Sequence, residues 1–295
     1  MCATAADGVL HAAGERLAVA APRLMGVLNL TVDSFSDGGE LLPVAAGGPS
    51  SGADDIDCQA VRARAEAMVE AGAAILDLGA ESSRPGAPSV PAAVEQARVL
   101  AGLETVADLP VLLSVDTRKP EVAAAAVAAG AHIINDIEGG RSPAMREVVA
   151  GSDVALCIMH MQGTPETMQQ RPHYQDVVSE VALFLNEQLE ACAKLGIERS
   201  RLLIDPGFGF GKTLDHNLAL LRGLAEIAAI GPPVLVGLSR KSMFGAITGQ
   251  PVDQRLPASI AGALLAVERG ARIVRTHDVR ATVDALAVWT AIQSA

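Results

Sequence analysis

Short, nearly continuous apolar runs alternate with longer stretches of helical periodicity along most of the chain. The runs are RLMGVLNL (23–30), AAILDLG (73–79), PVLLSVD (110–116), AHIINDI (131–137), DVALCIMH (153–160), RLLIDPG (201–207), PVLVGLS (233–239) and ARIVRTH (271–277). Each is a few residues long and apolar almost throughout, the pattern of parallel strands buried on both faces. Helix-like segments lie between them at 57–71, 91–107, 119–129, 142–150, 176–195, 214–229, 255–269 and 279–293, and 240–254 leaves room for an extra short helix. Eight such βα units predict an α/β fold of the (β/α)8 TIM-barrel type over residues 23–295. A doubly wound open sheet is the alternative, though it usually has fewer strands. Residues 1–22, which carry LHAAGERLAVAAP, read as a short N-terminal arm or hairpin closing the barrel bottom. The Gly-, Pro- and Ser-rich stretch 43–56 reads as a mobile loop.

A barrel gathers its chemistry at the C-terminal ends of its strands. Polar residues recur there in every unit. The first run ends in Asn29, followed by Thr31-Val32-Asp33-Ser34-Phe35. The second passes Asp77 and leads to Glu81-Ser82-Ser83-Arg84-Pro85. The third ends in Asp116, the fourth in Asn135 and Asp136, the fifth in His160, the sixth in Asp205. The seventh runs into Ser239-Arg240-Lys241-Ser242, and the eighth ends in Arg275 and His277. One such residue is explained as a helix cap; eight units marked at the same end are not. Arg84, Lys241, Arg275 and His277 can surround an anion, and phosphate suits that set. Asn29, with Asp33 as a second candidate, offers hard oxygen ligands for a Mg²⁺ shared with it. Asp116, Asn135 and Asp205 present acceptors and one amide donor, suited to the edge of a heterocycle, with Lys241 facing a ring carbonyl.

Composition narrows this further. The net charge of −11 argues against a nucleic-acid binder, which needs a basic surface. Aromatics at 2% leave no stacking platform for bases. Cys2, Cys58, Cys157 and Cys192 are scattered without a CxxC pair, as for free thiols in a reducing cytoplasm. The first twenty residues lack a basic segment followed by an apolar one, and no apolar run is long enough to span a bilayer. Gly207-Phe208-Gly209-Phe210-Gly211-Lys212-Thr213 resembles a phosphate loop but fails its pattern, because Pro206 stands where the first glycine belongs. It reads as a flexible turn bringing Phe210 to a ligand. Asp77, Asp136 and Arg240 read as ion-pair partners supporting the barrel top, and His132, His160, His173 and His216 as structural or exposed.

The blocks MGVLNLTVDSFSDGG, AESSRPGA, SVDT, INDI, MHMQGTPETMQ, DPGFGFGKT, GLSRKS and RTHDV, in this order, resemble the dihydropteroate synthase family over residues 25 to about 279. The resemblance implies a transferase in which p-aminobenzoate displaces pyrophosphate from 6-hydroxymethyl-7,8-dihydropterin diphosphate to give 7,8-dihydropteroate. It implies that Asp116, Asn135, Asp205 and Lys241 hold the pterin. Asn29, Ser83, Arg84, Arg275 and His277 would hold the diphosphate, with Asn29 on Mg²⁺. Phe35, Ser83, Pro85, Phe210 and Ser242 would border the p-aminobenzoate. Asp116, Lys241 and Arg84 would be the catalytic residues of an electrostatic mechanism, in a cytoplasmic homodimer. Two positions depart from the family pattern. Val32 stands where proline is common, which loosens the backbone, and Ser83 stands where threonine is common. Methyl-transferring pterin proteins share the barrel but not the TxDSFSDGG, SRKS and RxH blocks together. A pterin-binding protein without activity would not need every charged position.

Overall fold

The computed structural model describes residues 8–30, 56–82, 87 and 89–294. It opens on a hairpin of β1 (Val9–Ala12) and β2 (Glu15–Ala18), paired antiparallel from Val9↔Ala18 to Ala12↔Glu15. Its two-residue turn places Ala13 at φ 51° and Gly14 at φ 80°. Two such angles in succession match the right-handed twist of the flanking strands.

The barrel strands follow as β3 (Arg23–Asn29), β4 (Ile75–Gly79), β5 (Leu112–Asp116), β6 (Ile133–Asp136), β7 (Ala155–Met159), β8 (Leu202–Asp205), β9 (Val234–Gly237) and β10 (Ala271–Thr276). They form a closed parallel ring in chain order, β10 pairing with both β9 and β3. The helices are α1 (Cys58–Glu70), α2 (Ala92–Val106), α3 (Pro120–Ala128), α4 (Pro143–Ala150), α5 (Val177–Lys194), α6 (Leu214–Arg222), α7 (Leu224–Ala228), α8 (Ser242–Thr248), α9 (Leu256–Glu268) and α10 (Val279–Gln293). Local chemistry sets their starts. Asp57 accepts the Ala60 N–H at 3.0 Å, and Thr213 and His216 form a reciprocal capping box.

All eight apolar runs are barrel strands, and α8 occupies the extra segment after the seventh. The helix expected over 214–229 is broken at Gly223. A Cβ there would lie 2.7 Å from the Val178 side chain, so the lack of a side chain lets α5 pack closely. Residues 43–55 of the stretch read as a mobile loop lie outside the described residues. Among the described residues, no helix is long and apolar enough to cross a membrane.

The strand period of two explains how one barrel holds both a core and a site. Leu76 and Leu78 of β4 face the helices, while Ile75, Asp77 and Gly79 face inward. The inward residues near the strand starts are Met25, Ile75, Leu112, Ile133, Ala155, Leu203, Leu235 and Ile273, one from each strand, and all are buried. Leu10 and Ala12 of the hairpin join this layer with no exposed surface, and Ala13 N–H fastens to the Asp153 carbonyl at 2.8 Å. The hairpin therefore plugs the bottom of the barrel. Farther along the same strands the inward positions become Asp77, Ser114, Asp116, Asn135, Asp205 and Arg275. The switch from apolar to polar along these five inward rows places the chemistry at the top.

Cys2 lies outside the described residues, and the other thiols are Cys58, Cys157 and Cys192. Cys157 and Cys192 are buried, and burial pushes both pKa values up, that of Cys192 to about 11. Cys58 is exposed at the start of α1. Mild alkylation of the native protein is therefore expected to label Cys58 while leaving ligand binding and turnover intact. Rapid inactivation that substrate prevents would show a thiol at the site.

Candidate functional site

A cavity of about 630 Å³ opens at the C-terminal ends of the strands. That is a volume suited to a small-molecule ligand. Asn29, Asp116, Asn135, Asp205, Phe210, Lys241, Ser242, Arg275 and His277, all singled out from the sequence, line it. Phe35, Ser83, Arg84 and Pro85, together with Asp33, lie outside the described residues.

Strand register brings the acceptors together. Asp116 is the direct partner of Asn135 on one side and of Gly79 on the other. Beneath them Asp77 is fully buried and acts as a hub. Its Oδ1 accepts from Ser114 Oγ at 2.6 Å; its Oδ2 accepts from Asn135 Nδ2 at 3.2 Å and from Arg275 Nε at 2.6 Å. Arg275 Nη2 also donates to Asp116 Oδ2 at 3.0 Å. Two consequences follow. One amide N–H of Asn135 is committed to Asp77, which leaves its oxygen and its second N–H for other partners. Arg275, expected from the sequence to hold an anion, bridges two carboxylates.

The charges perturb one another. Burial pushes the Asp116 carboxyl up to about 7, Arg275 opposing and Asp77 reinforcing the rise. Burial likewise lifts Asp205 to about 6 against the Gly207 N–H and the nearby Lys241. Burial lowers Lys241 to about 8, with Asp205 resisting. For Arg275 burial works downward, but Asp77 and Asp116 overcome it and raise the guanidinium above its usual range. A cluster in which carboxylates are raised and an ammonium lowered is a mark of a functional site.

The loop after β8 is held firmly, contrary to the flexible turn expected. Gly207, Gly209 and Gly211 take φ values of 69°, 80° and 62°, which glycine adopts without strain. The buried Lys212 ammonium ties the loop together, bonding the carbonyls of Gly207 at 2.9 Å and Phe210 at 3.0 Å and His160 Nδ1 at 2.9 Å. The segment after β7 adds two clasps, Tyr174 Oη to the Gly211 carbonyl and Gln169 Nε2 to that of Gly209. The loop thereby presents Phe210 to the cavity. Lys241 Nζ lies 4.2 Å from the centre of its ring and donates to the Phe208 carbonyl at 2.7 Å.

Other readings fare unevenly. Arg240 pairs with Asp278, and Asp77 with Arg275, as supporting ion pairs. Asp136 does not take that role: its oxygens accept the Glu138 and Gly140 N–H groups and shape the turn after β6. His160 serves Lys212, His132 accepts the Leu113 N–H, and His216 caps α6, so these three are structural. His277 lies against Ser239 Oγ, 3.0 Å from its Nδ1. The sequence reading missed Met168, Gln169 and Arg255, which also line the cavity. Met168 and Gln169 come from an irregular segment with no periodicity to reveal them, and Arg255 stands at the start of α9 rather than at a strand end.

Comparison with known proteins agrees with this geometry. Residues 25–277 match the family described as pterin binding enzyme. The chain is 45% identical over 287 residues to the dihydropteroate synthase of Escherichia coli (strain K12), which covers 97% of each chain. The solved structure of Xanthomonas albilineans dihydropteroate synthase with 4-aminobenzoic acid is similar with a TM-score of 0.86 at 45% identity, over 98% of this chain and 99% of that one. That of the Burkholderia cenocepacia dihydropteroate synthase complexed with 7,8-dihydropteroate gives 0.83 at 45% identity, over 97% and 96%.

Proposed function

The chain belongs to the pterin-binding enzyme family, and from this we infer that it is a transferase joining p-aminobenzoate to 6-hydroxymethyl-7,8-dihydropterin diphosphate, releasing 7,8-dihydropteroate and pyrophosphate. The observation that carries this reading is the set of groups gathered on one cavity wall. Asp116, Asn135 and Asp205 supply a row of acceptors to it, and Lys241, Arg275 and His277 supply donors among them.

The acceptor row takes the N–H donors of the pterin edge, and Lys241 donates to the ring carbonyl. Arg275 and His277, with Arg84 and Ser83, hold the diphosphate. The bond between the pterin methylene carbon and the diphosphate oxygen breaks, and its electron pair leaves with pyrophosphate. The amine lone pair of p-aminobenzoate then forms the new carbon–nitrogen bond, and the nitrogen gives up a proton. Carboxylates beside the ring favour the positive charge that develops on the pterin, so catalysis is chiefly electrostatic. Phe210 and Ser242 border the p-aminobenzoate, with Phe35, Ser83 and Pro85.

Asn29 ends β3 on the cavity wall and carries a hard amide oxygen, which fits Mg²⁺, an ion that takes few protein ligands beside phosphate oxygens. When bound, the ion would neutralise charge on the leaving diphosphate. The decisive experiment is pyrophosphate release on mixing the pterin diphosphate, Mg²⁺ and p-aminobenzoate, with and without a chelator. Pterin binding without release would overturn the transferase reading.

The protein works as a cytoplasmic homodimer in this reading. Ile247 of α8, Leu265 of α9 and Val288 and Ile292 of α10 are exposed large apolar residues, between 42% and 68% accessible. Trp289, between them, packs against the core. Val288→Asp is expected to shift the protein to monomer in analytical ultracentrifugation. A monomeric wild type would remove the dimer from the proposal.

A further inference from the structure

Arg240 holds a backbone angle that side-chain-bearing residues avoid, with φ 55°. Such a conformation persists where its surroundings over-determine it. Here residues around the starts of two later helices do so. Ser259 Oγ, in α9, accepts the Arg240 N–H at 2.8 Å and donates its own O–H to the Arg255 carbonyl at 2.8 Å. Arg255 Nη1 donates to the Arg240 carbonyl at 3.2 Å. Asp278, at the start of α10, accepts from Arg240 Nε at 3.0 Å and Nη2 at 2.5 Å. The peptide and the guanidinium are thus gripped separately.

The residue that follows is Lys241. The left-handed turn at 240 comes between the end of β9 and the start of α8, so it sets the direction from which Lys241 leaves the backbone. The lysine tip reaches the β8 loop, donating to the Phe208 carbonyl beside the Phe210 ring. A relaxed turn at 240 would move the root of that side chain while its tip stayed attracted to the loop, and the ammonium would lose its fixed place opposite Asp205.

We propose that Ser259 and Asp278, neither of which lines the cavity, are positioning residues for Lys241: by clamping Arg240 in its left-handed conformation they aim the ammonium at the pterin. This rests on the reading of Lys241 as a pterin-binding residue. The hydroxyl of Ser259 is the more telling of the two, because without it a strained N–H is left with one acceptor fewer.

The test is steady-state kinetics with pterin diphosphate and p-aminobenzoate, together with calorimetric titration of 6-hydroxymethyl-7,8-dihydropterin, on wild type, Ser259→Ala, Ser259→Thr and Asp278→Asn. Ser259→Ala and Asp278→Asn are expected to weaken pterin binding and raise its KM by roughly five- to tenfold, with kcat changed less. Ser259→Thr keeps the hydroxyl and is expected to restore affinity to within about twofold of wild type. A lower melting temperature with unchanged pterin affinity and KM in both loss variants would make the clamp merely structural and overturn the proposal. If Ser259→Ala does not fold, Asp278→Asn carries the same comparison. A wild type without turnover would sink the transferase reading and this inference together; an active wild type with unaffected variants would sink the inference alone.

Discussion

Asp205→Asn is expected to weaken pterin binding by tenfold to more than a hundredfold while leaving the fold intact. The reason lies in what each oxygen of Asp205 does. Oδ1 accepts the Gly207 N–H at 2.7 Å and so supports the β8 loop. The amide oxygen of asparagine keeps that bond. Its NH₂ group then occupies the place of the second acceptor and points a donor at the N–H donors of the pterin. Loss of a hydrogen bond to a charged group costs about 1.5–3 kcal/mol, which is the stated range in affinity. Acidification should imitate the mutation. Burial raises Asp205 to about 6 and Asp116 to about 7. Binding that needs both carboxylates ionised therefore falls as pH drops through that window. Stability moves the other way: both groups bind protons more tightly folded than unfolded, so their contribution favours the empty fold at low pH and is lost as pH rises through about 6–7. Calorimetry of wild type and variant between pH 5 and 8 reads both effects. Unchanged affinity in a folded Asp205→Asn protein would remove this residue from the site.

Arg275→Ala is expected to damage stability as well as turnover. The guanidinium bonds both Asp77 and Asp116, and Asp77 has no exposed surface. Removing it leaves two carboxylates side by side inside the barrel. Breaking a buried pair from one side costs about 3–5 kcal/mol. At about 2.1 cal/mol/K of unfolding entropy per residue, a chain of this length loses roughly 5–8 °C of melting temperature. The loss should shrink as pH falls through about 7, where protonation of Asp116 relieves the repulsion. Arg275→Lys should recover it only partly, because an ammonium does not reproduce the planar fork that meets two carboxylates. Turnover of the diphosphate substrate should fall further than affinity for a pterin without phosphates. Melting curves at pH 5.5 and 8 decide the matter, and an unchanged melting temperature at both would show that the bridge supports nothing.

The barrel was legible because each barrel strand is a short apolar run and most helices are longer periodic ones. The candidate site was legible because polar residues stand at one end of every run. What escaped was non-local. The glycines of 207–211 suggest freedom when read alone; the buried ammonium of Lys212 and the clasps from Gln169 and Tyr174 remove it. Asp136 is followed at once by Ile137, Glu138 and two glycines, and that local signal for a turn was outweighed by its place at a strand end. The engagement of Arg275 by Asp77 depends on a contact across 198 residues, which no spacing rule could reveal.

That separation bears on how the molecule comes into being. The last strand, β10, lies between β9 and β3 and supplies Arg275. Until it docks, the ring is open and the Asp77–Asp116 pair lacks the Arg275 guanidinium. Ligand affinity cannot ripen gradually as earlier βα units assemble; it arrives with closure. Contacts so distant in sequence form slowly, because the entropy of closing the intervening chain is lost before they contribute. In refolding, the return of pterin binding would accordingly keep time with the slowest closing step rather than with the recovery of helix.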